Sequence, residues 1–118
     1  MTLIDTSIVI DSLQYDAPRV GSISVITLIE LLRGVSEDKR PELKNSLEEC
    51  YPVQGLDNDI VLEYCRVLDW LRSRGEMIHE ADMIIAATAI SKGMELETND
   101  EHFTRLVSHG LKLKRSQD

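Results

Sequence analysis

Aromatic side chains are scarce: one Trp, one Phe and three Tyr make up 4% of 118 residues, so Ile, Leu, Val and Ala must pack the core. Long apolar runs are missing too. The longest lies within residues 83–90 and contains Thr88, far short of the roughly 20 residues that span a bilayer, so no membrane segment is read. No basic stretch precedes an apolar one in Met-Thr-Leu-Ile-Asp, which argues against a secretory signal and makes a cytoplasmic location the expectation. Cysteine is confined to Cys50 and Cys65, both in helical patterning and without neighbouring His. They are read as reduced core thiols, not as a disulfide or a zinc site. Positive charge is in deficit: 13 Lys and Arg against 21 Asp and Glu leave a net charge of -8, and a broad phosphate-binding surface is not expected of such a chain. Its distribution is uneven, because residues 105–118 carry Arg105, Lys112, Lys114 and Arg115 against Asp118 alone, enough for a local basic lip on an acidic body. There are no internal repeats or low-complexity tracts, and the length suits one domain over residues 1–118.

The pattern that is present alternates strand and helix. TLI reads as a strand that ends at Asp5 and Thr6 and continues as a helix, and QYDAPRVG is a loop by its Pro and Gly. ISVITLIELLRG begins as a strand and becomes a helix capped by Ser24 or Thr27. Residues 36–50 form an exposed amphipathic helix with Pro41 in its first turn, and YPVQGL is a short strand or turn. A long helix runs from Asp57 to a stop at Gly75, with Ile60, Val61, Tyr64, Val67, Leu68 and Leu71 at helical spacing; Trp70 has a packing or interface role. The apolar MIIAATAISK has no polar face and should be central, with Gly93 as its stop. The strand MELET follows, then a short helix from Asn99-Asp100 with Phe103, Leu106 and Val107 inward, then an edge strand LKLK and a frayed tail RSQD. This order predicts an α/β fold of three layers, α/β/α, with a central parallel sheet and helices on both faces.

Carboxylates fall where such a sheet builds a site. Asp5, Asp82 and Asp100 lie at strand ends or helix starts on its carboxyl edge, and Glu30 lies in a helix that begins there. Each has a bland reading as well. Asp is a common helix N-cap, worth ~1 kcal/mol, Thr27 with Glu30 fits a capping box, and Arg33 is placed to pair with Glu30. Asp11, further along the helix that follows Asp5, either supports a site acid from behind or is a solvated helix residue. Four carboxylates with no lysine beside them repel one another unless divalent cations fill the gap, and oxygen-only ligation selects Mg²⁺ or Mn²⁺. Two such ions would activate water and stabilise the leaving oxygen of a phosphodiester.

In LIDTSIVID, SVITLIELLRG, ADMIIAATAISKG and LETNDEHFTRL, the chain resembles the PIN-domain ribonucleases, specifically the small VapC-like toxins of prokaryotic toxin-antitoxin pairs. The resemblance covers nearly the whole chain. It implies that Asp5, Glu30, Asp82 and Asp100 are the acidic quartet, catalytic and metal-binding, with Thr6 and Asn99 as supporting polar residues. His102 stands where many relatives carry an acid, which leaves Glu101 as the alternative to Asp100. Also implied are an RNA substrate cut to a 5′-phosphate and a 3′-hydroxyl, a small antitoxin protein as partner, and a homodimer. His79, His102 and His109 form no obvious acid-base pair and are read as surface or loop residues. A receiver-like or phosphoryl-transfer protein would carry a pocket lysine or an acid at position 7, where this chain has Ser7. A non-catalytic module that keeps the acids as caps is the rival from another class.

Overall fold

The structure, a computed structural model, describes residues 1–17 and 19–116. Pro18 of the expected loop, and Gln117 and Asp118 of the expected frayed tail, lie outside the described residues.

Five short parallel strands make up the centre: β1 (Thr2–Ile4), β2 (Ile23–Ser24), β3 (Val53–Gln54), β4 (Glu95–Glu97) and β5 (Lys112–Lys114). β1, β4 and β5 form one ladder and β2 and β3 another; a bridge between Leu3 and Ser22 joins them in the order β3-β2-β1-β4-β5. Between the strands run α1 (Thr6–Gln14), α2 (Val25–Arg33), α3 (Arg40–Cys50), α4 (Asn58–Arg74) and α5 (Glu80–Lys92), with 3-10 turns at Glu37–Lys39 and Glu101–Leu106.

Alternation along β1 sends its two buried side chains to opposite faces. Leu3 joins Leu96, Phe103 and Leu106 in a cluster with the apolar residues of α4 and α5. Ile4 joins Ile8, Val9, Leu28, Leu47 and Tyr51 from α1, α2, α3 and the residue after it. The sheet is therefore the middle of three layers, as the strand-helix alternation predicts. α5 is its main support: Met83, Ile85, Ala86, Ala87, Thr88 and Ala89 are all buried, and the small side chains allow close approach to the sheet and to α4. Among the described residues, no helix is long and apolar enough to cross a membrane.

The helix ends follow local chemistry. Asp57 accepts the Ile60 N–H at 3.0 Å to start α4, and α4 and α5 both stop at left-handed glycines, Gly75 and Gly93, each backed by a bond from the next residue to a carbonyl five residues earlier. At Gly93 (φ 66) an added Cβ meets nothing within 4 Å, so Gly93→Ala adds backbone strain alone. It should lower stability by about 1 kcal/mol, seen as a lower urea midpoint with an unchanged slope.

Two local expectations need correction. Cys50 and Cys65 are free but exposed, because Cys50 ends α3 and Cys65 sits on the outer side of α4. Val107 is also exposed, since it follows the 3-10 turn that buries Phe103 and Leu106. The short helix expected there is a 3-10 helix over Glu101–Leu106. His109 lies in the turn after it, a loop residue as expected, with its side chain partly buried: Nε2 lies 2.8 Å from Glu63 Oε2, and its ring packs 5.3 Å from that of Trp70. Trp70 has the packing role expected of it, donating from Nε1 to the Arg105 carbonyl and lying under the Arg74 guanidinium.

Candidate acidic site at the carboxyl edge of the sheet

Parallel pairing places the site. Ile4 is opposite Glu97, so the next residues, Asp5 and Thr98, leave the sheet side by side. Asp5 is only 4% exposed. It occupies the N-cap position of α1 but its side chain caps nothing; Oδ2 accepts hydrogen bonds from Thr98 Oγ1 at 2.8 Å and Ser7 Oγ at 3.0 Å. Burial pushes its carboxyl above the ordinary 3.8, with Asp100 adding to the rise and the hydroxyl bonds opposing it.

Glu30 reaches the same edge from α2. Ser24 caps that helix by accepting the Ile26 N–H, so the Thr27–Glu30 capping box does not form. Thr27 is buried and its hydroxyl is 2.8 Å from that of Thr6, which donates to Glu30 Oε1 at 2.9 Å. Arg33 is mostly solvated and lies 3.9 Å from the other Glu30 oxygen, too loose a pair to be what orients this carboxylate.

Asp82 lies in the first turn of α5, three residues after the N-cap His79, and so is not the helix cap that its position suggests. Its pKa is raised to about 6, first by burial and then by Asp5, Asp100 and Glu30, with His79 opposing. Asp100 does cap: its Oδ1 accepts the His102 N–H at 2.9 Å and lies 3.0 Å from His102 Nδ1. Glu101 points to solvent and pairs with Arg115 at 2.7 Å, so Asp100 and not Glu101 is the acid turned toward Asp5 and Asp82.

The structure thus brings Asp5, Glu30, Asp82 and Asp100 together from four separate elements, with the Thr6 hydroxyl of α1 bonded to Glu30 and Thr27 of α2. Asn99 stands apart. Its Oδ1 accepts the Ser116 N–H at 3.1 Å, and it lines a cavity of about 420 Å³ with Asp11, Tyr15 and Arg19 that takes in none of the four acids. Two hydroxyls that the sequence did not single out, Ser7 and Thr98, hold Asp5. The available signal was register: a polar residue ending a strand paired in parallel with β1.

The donor set is carboxylate and hydroxyl, flanked by Arg33 at 3.9 Å from Glu30 and by the His102 ring at 3.0 Å from Asp100. Among the described residues, no three His, Cys, Asp or Glu groups stand close enough to hold an ion directly. What the donors offer is their chemistry: carboxylate and hydroxyl oxygens suit a hard, hydrated cation such as Mg²⁺, which binds one or two carboxylates and keeps several waters. They do not make the His and Cys cage typical of structural Zn²⁺.

A three-layer α/β protein with a carboxylate cluster on the carboxyl edge of its parallel sheet belongs to the class of acidic-edge α/β domains. More narrowly, a family model for the PIN domain matches residues 2–108, and the chain belongs to that family. It is 37% identical over 115 residues to Ribonuclease VapC1 of Methanocaldococcus jannaschii, across 94% of this chain and 85% of that protein. Among solved structures, VapBC-1 from nontypeable Haemophilus influenzae superposes with a TM-score of 0.82 at 22% identity, over 97% of this chain and 96% of that one. FitAcB from Neisseria gonorrhoeae gives a TM-score of 0.75 at 21% identity, over 96% of each chain. At those identities the structures show a shared fold.

Proposed function

We propose that this protein is a divalent-metal-dependent endoribonuclease, the toxin of a toxin-antitoxin pair, with Asp5, Glu30, Asp82 and Asp100 as its catalytic and metal-binding acids. The observation that carries the reading is the gathering of four carboxylates at one edge of the sheet, where burial first and the other three acids after it raise the Asp82 carboxyl to about 6. Helix caps have no need to face one another. The relative named a ribonuclease supports the RNA substrate, and the neighbours named as VapBC complexes support a small antitoxin partner. A homodimer working in the cytoplasm belongs to the same proposal.

The cation, Mg²⁺ or Mn²⁺, supplies an activated water and neutralises charge on the phosphodiester when bound. The protein's own part is placement. Asp5 is held by two hydroxyls, Glu30 by Thr6, and Asp100 by the start of the 3-10 turn, while α5 fixes Asp82 against the buried centre. Such fixing keeps like charges in a geometry they would otherwise leave.

The test is cleavage of a labelled RNA with Mg²⁺, with Mn²⁺ and in excess EDTA. Cleavage should require the ion and leave 5′-phosphate and 3′-hydroxyl ends; the reading also expects an adjacent reading frame to encode a small protein whose addition stops cleavage. A 2′,3′-cyclic phosphate product, or full activity in EDTA, rules the mechanism out.

A further inference from the structure

Thr98 is 1% exposed and, among the described residues, is the one hydroxyl that touches two of the four acids' residues. Its Oγ1 donates to Asp5 Oδ2 at 2.8 Å and accepts the backbone N–H of Asp100 at 3.0 Å. The backbone on both sides is fixed: Asp5 N–H bonds to the Glu97 carbonyl and Thr98 N–H to the Lys114 carbonyl, both at 3.0 Å. A β-branched side chain in such a place has little rotamer freedom, so the hydroxyl acts as a rigid spacer.

A purely structural role would be to satisfy buried Asp5 and to close the turn after β4. Ser7 already donates to the same Asp5 oxygen, so Asp5 stays hydrogen-bonded without Thr98. What Thr98 provides and Ser7 does not is the link from Asp5 to Asp100. We propose that Thr98 is a positioning residue that sets the separation of Asp5 and Asp100, and through it the affinity of the acidic edge for a divalent cation. This rests on the nuclease reading above. Groups that hydrogen-bond to ligating carboxylates typically contribute 10- to 100-fold to metal affinity or activity, which is the scale expected here.

The experiment measures Mn²⁺ binding by calorimetry, kcat and KM for RNA, and thermal unfolding, on wild type, Thr98→Val, Thr98→Ser and Asp82→Asn. Thr98→Val should bind Mn²⁺ about 10-fold more weakly and lose about 10-fold in kcat, with KM for RNA within about two-fold; Thr98→Ser, which keeps the hydroxyl, should recover both. Wild-type Mn²⁺ affinity in Thr98→Val, or a Thr98→Ser variant as impaired as the valine one, overturns the proposal. Asp82→Asn separates the two levels. If it keeps metal binding and cleavage, the acidic edge is not the metal site of the nuclease and the reading this proposal rests on fails; if it loses both while Thr98→Val keeps them, only the role of Thr98 fails. Should Thr98→Val not fold, Thr98→Ala is read the same way below its unfolding temperature; if neither folds, Thr98 is a structural residue and the proposal falls.

Discussion

Asp82→Asn is expected to lower kcat for RNA cleavage by at least about 100-fold and, in the same protein stripped of metal, to raise stability at neutral pH. Both effects come from one charge. Asn keeps the size and hydrogen-bonding shape of Asp but cannot be an anion, so the site loses a ligand and a source of repulsion together. The pH dependence follows from the folded-state pKa of about 6 against an ordinary value of 3.8. The folded protein holds the Asp82 proton more tightly than the unfolded chain does. Its favourable contribution is fully present below about pH 4 and is lost as the pH rises through 6, when a charged carboxylate is confined beside three others. For a half-buried group, with solvent screening allowed for, the swing is on the order of 1–2 kcal/mol. Urea midpoints in chelator should therefore fall for the wild type between pH 4 and pH 7, and fall less for Asp82→Asn. Adding Mg²⁺ at pH 7 should restore the wild type and leave the variant unmoved. An Asn variant with the wild-type pH slope would show that Asp82 does not feel the other acids.

The sequence carried the acids but not what holds them. Asp5, Asp82 and Asp100 sit where a strand or loop turns into a helix or 3-10 turn, and that junction can be read from local pattern: a short apolar strand before Asp5, an apolar helix after Asp82, a strand before Asp100. The long helices were legible for the same reason, since Asp57, Gly75 and Gly93 mark their ends within a few residues. The hydroxyl contacts were not legible, because they cross the chain. Thr6 to Thr27 spans 21 residues and Thr98 to Asp5 spans 93, so they exist only once α1, α2 and β4 are docked. Tertiary docking also explains the failed capping box. Thr27 could have capped α2, but its hydroxyl is drawn to Thr6, and Ser24 takes the cap one turn earlier. His109 is the loop residue the sequence suggests, but its contact with Glu63, 46 positions away, was likewise not legible. β2 and β3, at two residues each, are too short for alternation to show, and pairing alone defines them as strands.

That pairing hangs on a glycine in a stretch the sequence marks only as a loop, which leads to the second large effect. Gly21→Ala should destabilise the protein by roughly 2–4 kcal/mol, several times the effect of Gly93→Ala. Gly21 has φ 153, and a Cβ there would lie 2.7 Å from the Thr2 carbonyl oxygen and 3.1 Å from two side-chain carbons of Ile4. The oxygen cannot step aside. It already accepts the Ser22 N–H at 2.9 Å, and β1 is held on its other edge by β4. Relief has to come from β2 moving away from β1, which breaks the Leu3–Ser22 bridge that joins the two ladders. α2 follows β2 without an intervening loop, so the movement carries Thr27 and Glu30 away from Thr6 and Asp5. Gly21→Ala should therefore weaken Mn²⁺ binding even where it is still folded, whereas Gly93→Ala, whose strain stays at the end of α5, should lower the urea midpoint alone. A Gly21→Ala protein as stable as wild type, with its Mn²⁺ affinity intact, would show that the two halves of the sheet do not set the position of Glu30.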